Sequence, residues 1–185
     1  MKQQKKSAKE SYMNRQEMIE KRLRMPANEV IVRSNLAQKN LVSLECFKMA
    51  RRVMLYLPIQ NETDTNIILS RCIAKRVFAP RVLGSGIMEA AELFNNTQKG
   101  ALGIEEPIGE AYTGDIDLYV VPGVFFSENG ARTGRGKGYY DRFLAGKRGI
   151  KIGLCYSFQI DNNIETKETD VAMDFVVTDE GVFNE

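Results

Sequence analysis

The sequence predicts an α/β fold, with one three-layer domain in which a mainly parallel twisted sheet carries helices on both faces. Short apolar runs alternate with helix-like segments along most of the 185 residues, and this alternation is typical of parallel strands joined by helical crossovers. The length suits one domain with a substantial core. A composition of 43% hydrophobic and 27% charged residues is that of a globular protein. We therefore expect residues 1–185 to form a single domain, with about residues 1–9 as a candidate disordered segment.

The chain begins with two predicted helices. Over residues 10–25 charged positions alternate with apolar ones, which predicts an amphipathic helix that stops near Pro26. Asn28 is a candidate N-cap for a second helix that extends to about Ala50.

Six strands and two more helices follow in the prediction. The helices are residues 62–76, capped by Thr63 or Asp64, and residues 139–146, where Gly146 occupies the position just past the helix end. The strands are 52–58, 77–82, 87–93, 116–123, 150–157 and 174–178. In such sheets ligands bind beyond the carboxyl ends of the strands.

Charge and composition exclude several kinds of site. Residues 1–24 hold eight Lys or Arg and three Glu, although the net charge of the whole chain is only +2. A basic front end can contact nucleic acid, a membrane or an anionic small molecule, or it can be a solvated helix face. Histidine is absent, which excludes His-based metal sites and Ser/His or Cys/His catalysis. The three cysteines form no C-x-x-C pair and indicate reduced thiols in the cytosol. No run is apolar enough for a membrane span.

The segment GARTGRGKGYYDRF, residues 130–143, carries the strongest functional signal. Alternate glycines let backbone N–H groups approach an anion, and the interleaved Arg and Lys add positive charge. The N-terminal end of the following helix would add further positive potential. Asp141 falls in the first turn of that helix, where a carboxylate suits a hard cation such as Mg²⁺. Together these features predict a polyphosphate site.

Two alternatives to a polyphosphate site stay open for this segment. It matches neither the Walker A pattern, because Ala131 stands at the first glycine, nor G-x-G-x-x-G, because Tyr139 stands at the third. A basic surface hairpin is one alternative. A nucleic-acid site is the other, since tyrosines stack on bases, but the small net charge and the lack of further basic-aromatic clusters weigh against it.

Over nearly its full length the chain resembles the 5-formyltetrahydrofolate cyclo-ligase (methenyltetrahydrofolate synthetase) family. The segment VPGVFFSENGARTGRGKGYYDRFL is similar to the family pattern VPG-x-x-F-D-x-x-G-x-R-x-G-x-G-x-G-Y-Y-D-R-x-L. LYLPIQNETDT, APRV, LGIEEP, IGLCYSFQ and TDVAMDFVVT resemble further landmarks of the family. The resemblance implies a cytoplasmic enzyme of one-carbon metabolism, a ligase that uses MgATP to convert 5-formyltetrahydrofolate into 5,10-methenyltetrahydrofolate, ADP and phosphate.

The resemblance also implies a set of site residues. Arg135 and Lys137 would be catalytic, neutralising the transferring phosphoryl group, and Asp141 and Asp170 would bind Mg²⁺. The residues implied for ATP are Ser11, Arg15, Arg132, Thr133, Gly134, Arg135, Gly136, Lys137, Gly138, Tyr139 and Tyr140. Those implied for the folate are Arg15, Leu57, Glu62, Arg135, Gly136, Lys137, Gly138 and Tyr139.

The chain departs from the family pattern at three positions. The N-terminal helix of the family carries a Lys-x-x-x-Arg pair, and Arg15 stands at the arginine while Ser11 stands at the lysine. Ser127 replaces an aspartate, and Thr169 replaces a frequent histidine. Two rival hypotheses remain: a nucleic-acid-binding module that uses the basic N-terminal helix and the Gly/Tyr loop, and, because of Ser11, a family member that binds folate or nucleotide without catalysis. We expect small-molecule partners, no nucleic acid or membrane partner, and a monomer or weak homodimer.

Overall fold

The computed structural model describes residues 14–84, 86–93, 97–100 and 103–184. Five α-helices occur within these residues: α1 Arg15–Leu23, α2 Ala27–Ser43, α3 Glu45–Met49, α4 Asn66–Ser70 and α5 Tyr139–Leu144. A 3₁₀ turn spans Ser157–Gln159. The first six strands are β1 Arg52–Met54, β2 Arg76–Gly84, β3 Ile87–Glu92, β4 Thr97–Lys99, β5 Glu105–Pro107 and β6 Ala111–Tyr112. The other six are β7 Leu118–Val121, β8 Phe125–Phe126, β9 Arg132–Thr133, β10 Ile150–Leu154, β11 Phe175–Val177 and β12 Val182–Asn184.

Eight strands form one mixed sheet in the order β12-β11-β10-β7-β1-β2-β3-β6. The five central strands, from β11 to β2, are parallel, and antiparallel strands flank them on each side. Two small antiparallel pairs, β4 with β5 and β8 with β9, lie outside this sheet. The predicted α/β class with a mainly parallel sheet is confirmed.

Alternate residues of the central strands contribute their side chains to two separate apolar clusters. One cluster takes Val53 and Leu118 and packs against α2, α3 and α4 through Leu41, Phe47 and Ile68. The other takes Met54, Tyr119 and Val121 and packs against Leu144 of α5. This alternation follows from the strand geometry, since successive side chains point to opposite faces.

Helix α1 lies apart from both clusters. The side chain of Asn14 accepts hydrogen bonds from the backbone N–H groups of Gln16 and Glu17, which fixes the first turn. The helix ends before Pro26, as predicted. Met18 packs against Val124 and Phe125, so α1 rests on the chain segment that follows β7.

The second predicted helix differs from the observed one at both ends. Helix α2 begins directly after Pro26 without a side-chain cap, and Asn28 lies inside its first turn. Proline is already restricted to the backbone angle that a helix start needs. Leu44 adopts an extended conformation, φ −65° and ψ 138°, and separates α2 from α3. Leu44 is partly buried and packs against the core.

The helix predicted for residues 62–76 shrinks to the five residues of α4. Asp64 caps the turn before it, where its Oδ1 accepts from the N–H groups of Thr65 and Asn66. The side chain of Gln38 in α2 accepts from the N–H groups of Ile67 and Ile68. These side-chain acceptors satisfy the donors at the start of a short helix, so the preceding residues are free to form a loop.

The three cysteine side chains are free thiols, as predicted. Burial raises the pKa of Cys72 to about 11 and also raises the pKa values of Cys46 and Cys155. Within the described residues, every helix is too short or too polar to cross a bilayer.

Candidate functional site

The candidate site lies at the point where the strand order of the main sheet reverses. From β1 the chain continues to β2 on one side, and from β7 it continues towards β10 on the other side, while β1 and β7 are neighbours. The crevice beyond the carboxyl ends of such a strand pair is the usual ligand site of open α/β sheets. Two segments follow these strand ends, residues 55–65 after β1 and residues 122–138 after β7.

The segment between β9 and α5, residues 134–138, is named here the glycine loop. Gly136 (φ 87°) and Gly138 (φ 64°) have left-handed backbones, which glycine adopts without strain. Arg135, just before Gly136, and Lys137, between the two glycines, are both exposed. The loop therefore presents two cations and open backbone to solvent, as the sequence predicts for an anion-binding segment.

Arg142 joins the glycine loop to the β2–β3 hairpin. Its guanidinium donates to the carbonyl of Lys137 at 2.8 Å and to the carbonyl of Gly86 at 2.9 Å. The same group lies over the ring of Tyr139. Arg142 was not among the predicted site residues, although its place one residue after Asp141 is part of the quoted motif.

Arg132 lies inside the protein, below the glycine loop. Its side chain is 4% exposed, and its Nη2 donates to Oδ1 of Asp141 at 2.7 Å. Nη1 donates to the carbonyl of Pro122 at 3.4 Å, and the guanidinium lies over the ring of Tyr140. Burial raises the pKa of Tyr140 well above its ordinary value. Arg132 thus fixes the Asp141 carboxylate against the end of β7.

The Glu62 carboxylate faces the glycine loop from the other side of the crevice. Its side chain is 9% exposed, and Oε1 lies 3.4 Å from Nη2 of Arg135 and 3.4 Å from Nη2 of Arg22 in α1. Oε2 accepts from the N–H of Ile59 at 3.2 Å. The structure therefore brings the predicted folate carboxylate into contact with a predicted phosphate-binding cation.

Arg22 is the central residue that the sequence reasoning missed. It is 1% exposed, although the sequence alone groups it with the other cations of the basic front end. The available signal was its spacing, because Arg22 follows the buried Met18 by four residues and so shares its helix face.

The remaining predicted residues are placed as follows. Arg15 of α1 reaches the glycine loop. Its Nη1 lies 3.4 Å from the point at which a side chain at position 136 would begin. Leu57 is half-buried just after β1. Thr133 pairs with Phe125 across β8 and β9, and Gly134 follows it at the start of the loop. Ser11 lies outside the described residues.

Asp170 takes part in a local turn rather than in a visible cluster. Its Oδ2 accepts from the N–H of Lys167 at 2.8 Å. The described ranges contain no cluster of three or more His, Cys, Asp or Glu side chains that could hold a metal ion. A magnesium ion that bridges phosphates needs only one or two protein carboxylates, and Asp141, beside the glycine loop, fits that requirement.

Ser127 shows how the chain accommodates one departure from the resemblance. Its hydroxyl oxygen accepts from the N–H of Ala131 at 2.9 Å and also pairs with the Asn129 side chain. It is buried in the turn that joins β8 to β9. A serine thus supplies an acceptor within the turn that leads to the glycine loop.

Comparison with known proteins gives one consistent family. Residues 5–179 match the model of the 5-formyltetrahydrofolate cyclo-ligase family. A probable 5-formyltetrahydrofolate cyclo-ligase of Schizosaccharomyces pombe is 32% identical over 78% of this chain and 82% of that protein. The 5-formyltetrahydrofolate cyclo-ligase of Mus musculus is 29% identical over 86% of this chain and 89% of that protein.

Solved structures give the same result at the level of the fold. The NMR structure of Aquifex aeolicus 5,10-methenyltetrahydrofolate synthetase superposes with a TM-score of 0.82 at 34% identity, covering 92% of this chain and 90% of that one. The synthetase of Mycoplasma pneumoniae superposes with a TM-score of 0.72 at 25% identity, covering 89% and 96%.

Proposed function

The chain belongs to the 5-formyltetrahydrofolate cyclo-ligase family, and from that membership we propose that it converts 5-formyltetrahydrofolate into 5,10-methenyltetrahydrofolate, using ATP and releasing ADP and phosphate. The formyl oxygen is a poor leaving group. In the proposed reaction this oxygen attacks the γ-phosphorus of ATP and ADP departs. N10 of the same folate then attacks the formyl carbon and loses its proton, and phosphate leaves with the former formyl oxygen.

The proposed roles follow from the positions of the side chains. Arg135 and Lys137 of the glycine loop would neutralise the transferring phosphoryl group, and Arg15 would add charge from α1. Glu62 would accept hydrogen bonds from the donor-rich edge of the pterin, with Leu57 against its face. These are positioning and charge-neutralising tasks, which need no histidine.

Asp141 is the proposed Mg²⁺ ligand, with Asp170 as a second candidate. A bound Mg²⁺ would supply positive charge to the phosphate oxygens. Arg132 holds Oδ1 of Asp141, and the Asp141 side chain keeps 20% of its surface exposed. The carboxylate is thereby oriented yet open to solvent, which supports the assignment.

One contact carries the proposal, the approach of Arg135 to Glu62 across the crevice between β1 and β7. The formyl group and the γ-phosphate must meet within bonding distance, and the residues assigned to the two substrates already touch. A nucleic-acid-binding role has no comparable support.

The test is to mix the protein with MgATP and 5-formyltetrahydrofolate and to follow the near-ultraviolet absorbance of the methenyl product. We expect turnover, and a loss of about 10²–10³-fold in kcat for Arg135→Ala, the range seen when one charge-stabilising donor is removed. Arg76→Ala is the matched control, because Arg76 pairs with Glu92 on the surface. Folded protein that binds both substrates without product would identify a non-catalytic member and overturn the proposal.

A further inference from the structure

Arg22 is a buried cation with three fixed acceptors. Its Nε donates to the carbonyl of Gln60 at 3.1 Å, its Nη1 to the carbonyl of Gly123 at 3.3 Å and its Nη2 to Glu62 at 3.4 Å. The guanidinium therefore joins α1 to the segments that follow β1 and β7. A buried charge is tolerated only when it is paired, so Arg22 and Glu62 depend on one another.

The turn that carries Glu62 is held by the end of α1. Gln60 (φ 50°) and Asn61 (φ 55°) both have left-handed backbones, which are uncommon outside glycine. The side chain of Asn61 donates to the carbonyls of Arg22 and Leu23, while Arg22 donates to Gln60. Contacts in both directions keep this turn in one conformation, and they fix the position of the Glu62 carboxylate.

The two arginines that contact Oε1 of Glu62 differ in how far their side chains are exposed to solvent. Arg22 has a side chain that is 2% exposed, whereas the Arg135 side chain is 37% exposed and belongs to the glycine loop. A carboxylate offers about four acceptor positions. Ile59, Arg22 and Arg135 take three of them.

We infer that Glu62 couples the folate and nucleotide sites, with Arg22 as the positioning residue that fixes it and Arg135 as the partner that folate displaces. The inference rests on the proposed function. A pterin edge presents two neighbouring donors, an amino group and a ring N–H, and so needs two acceptor positions on Glu62. Arg22 and Ile59 are fixed, so Arg135 gives way. Once released, Arg135 is free to bind phosphate oxygens.

The wild-type test measures nucleotide affinity with and without folate. Calorimetric titration uses a non-hydrolysable ATP analogue with Mg²⁺, in the absence and presence of saturating 5-formyltetrahydrofolate. We expect folate to tighten analogue binding about tenfold, within the usual range of coupling between two sites. Thermodynamic reciprocity requires the analogue to tighten folate binding by the same factor. Equal analogue affinity in both titrations overturns the inference.

In the absence of folate, we expect two variants to change the affinity for the ATP analogue in opposite directions. Glu62→Gln removes the charge that holds Arg135, so the folate-free protein should bind the analogue several-fold tighter than the wild type. Arg22→Met leaves Arg135 as the remaining cation on Glu62, so the folate-free variant should bind the analogue several-fold more weakly. A structural role alone would move both affinities in the same direction, and that result contradicts the inference.

The control variant is Glu92→Gln, which makes the same chemical change in a surface ion pair with Arg76 and should leave both analogue affinities unchanged. Thermal melts establish that each variant is folded. If one variant is not folded, the wild-type titrations alone test whether folate and nucleotide binding are coupled. Turnover without coupling would overturn only this inference. Absence of turnover would overturn the proposed function.

Discussion

Arg132 illustrates how one side chain in a basic motif is used for structure. Three cations occur in the quoted segment between Gly130 and Gly138, and two of them, Arg135 and Lys137, are exposed. Arg132 instead lies inward and pairs with Asp141. Because neighbouring cations would repel one another on a single surface, this division lowers the charge density of the loop itself.

The Arg132–Asp141 pair gives a stability prediction. Arg132→Met keeps the apolar length but leaves the Asp141 carboxylate without its cation, and removing one partner of a largely buried pair costs about 3 kcal/mol. Urea denaturation measures the free energy of unfolding. Arg135→Met is the control, and we expect it to lose under 1 kcal/mol because the Arg135 pair is more exposed. Equal losses in the two variants would contradict the structural role of Arg132.

Single residues also mark the limit of sequence reasoning. The glycine loop and Asp141 could be located because alternate glycines and cations are unusual in any packed element. For Arg22 the local signal is limited to its four-residue spacing from Met18, since its burial depends on segments 38 and 101 residues away in the chain. Such long-range contacts are set by the tertiary fold.

At the level of elements, Asp117 joins the starts of two neighbouring parallel strands. It precedes β7, and its Oδ2 accepts from the N–H groups of Arg51 and Arg52 at the start of β1. Its Oδ1 accepts from the Arg52 side chain at 2.7 Å. The Arg52 hydrogen bond, followed by those backbone N–H groups, lowers the pKa of Asp117.

Asp117→Asn should reveal this contribution through its pH dependence. A lowered folded-state pKa means that the stabilisation is present above the unfolded-state pKa, near 4, and is lost as the pH falls through the folded-state value. We expect the variant to be about 1 kcal/mol less stable at pH 7, a modest figure because the pair is partly exposed. In urea titrations the difference should shrink below about pH 4. A difference independent of pH would contradict the assignment.

Element boundaries were predicted unevenly. Strands β2, β3, β7, β10 and β11 lie within one or two residues of the predicted segments or inside them, because buried strands have distinct apolar runs. The helices were less accurate, because the extended backbone at Leu44 divides one of them and the Gln38 side chain caps another from a distance, and helix propensity shows neither effect. Strands β4, β5, β6, β8, β9 and β12 were missed, being two or three residues long and lacking a clear alternation.

For the whole molecule, the order of strands explains where the site lies. One half of the main sheet consists of β1, β2, β3 and β6, and the other half consists of β7, β10, β11 and β12. Glu62 comes from the first half and the glycine loop from the second, so the crevice between β1 and β7 unites both halves of the chain. The sequence predicts that the glycine loop lies beyond the carboxyl end of a strand, whereas the neighbouring positions of β1 and β7 are known only from the strand order of the fold.

Nucleotide binding should therefore stabilise the molecule as a whole. At a free MgATP concentration of a hundred times its Kd, mass action contributes about 2.7 kcal/mol. For a chain of this length that corresponds to a rise in Tm of about 5–10 °C. Differential scanning calorimetry with MgATP checks this, and adenosine, which lacks the phosphates, is the matched control. An equal rise with both ligands would contradict a phosphate site on the glycine loop.

The burial of the thiols has a consequence for buffering. Histidine, the one side chain whose ordinary pKa falls near neutrality, is absent, and burial moves the thiol pKa values to more alkaline pH. Few groups on this protein thus exchange protons between about pH 6 and 8. The terminal phosphate of the nucleotide does ionise near this interval, since a phosphate monoester loses its second proton near pH 6, so a bend in the rate profile there would point first to the nucleotide.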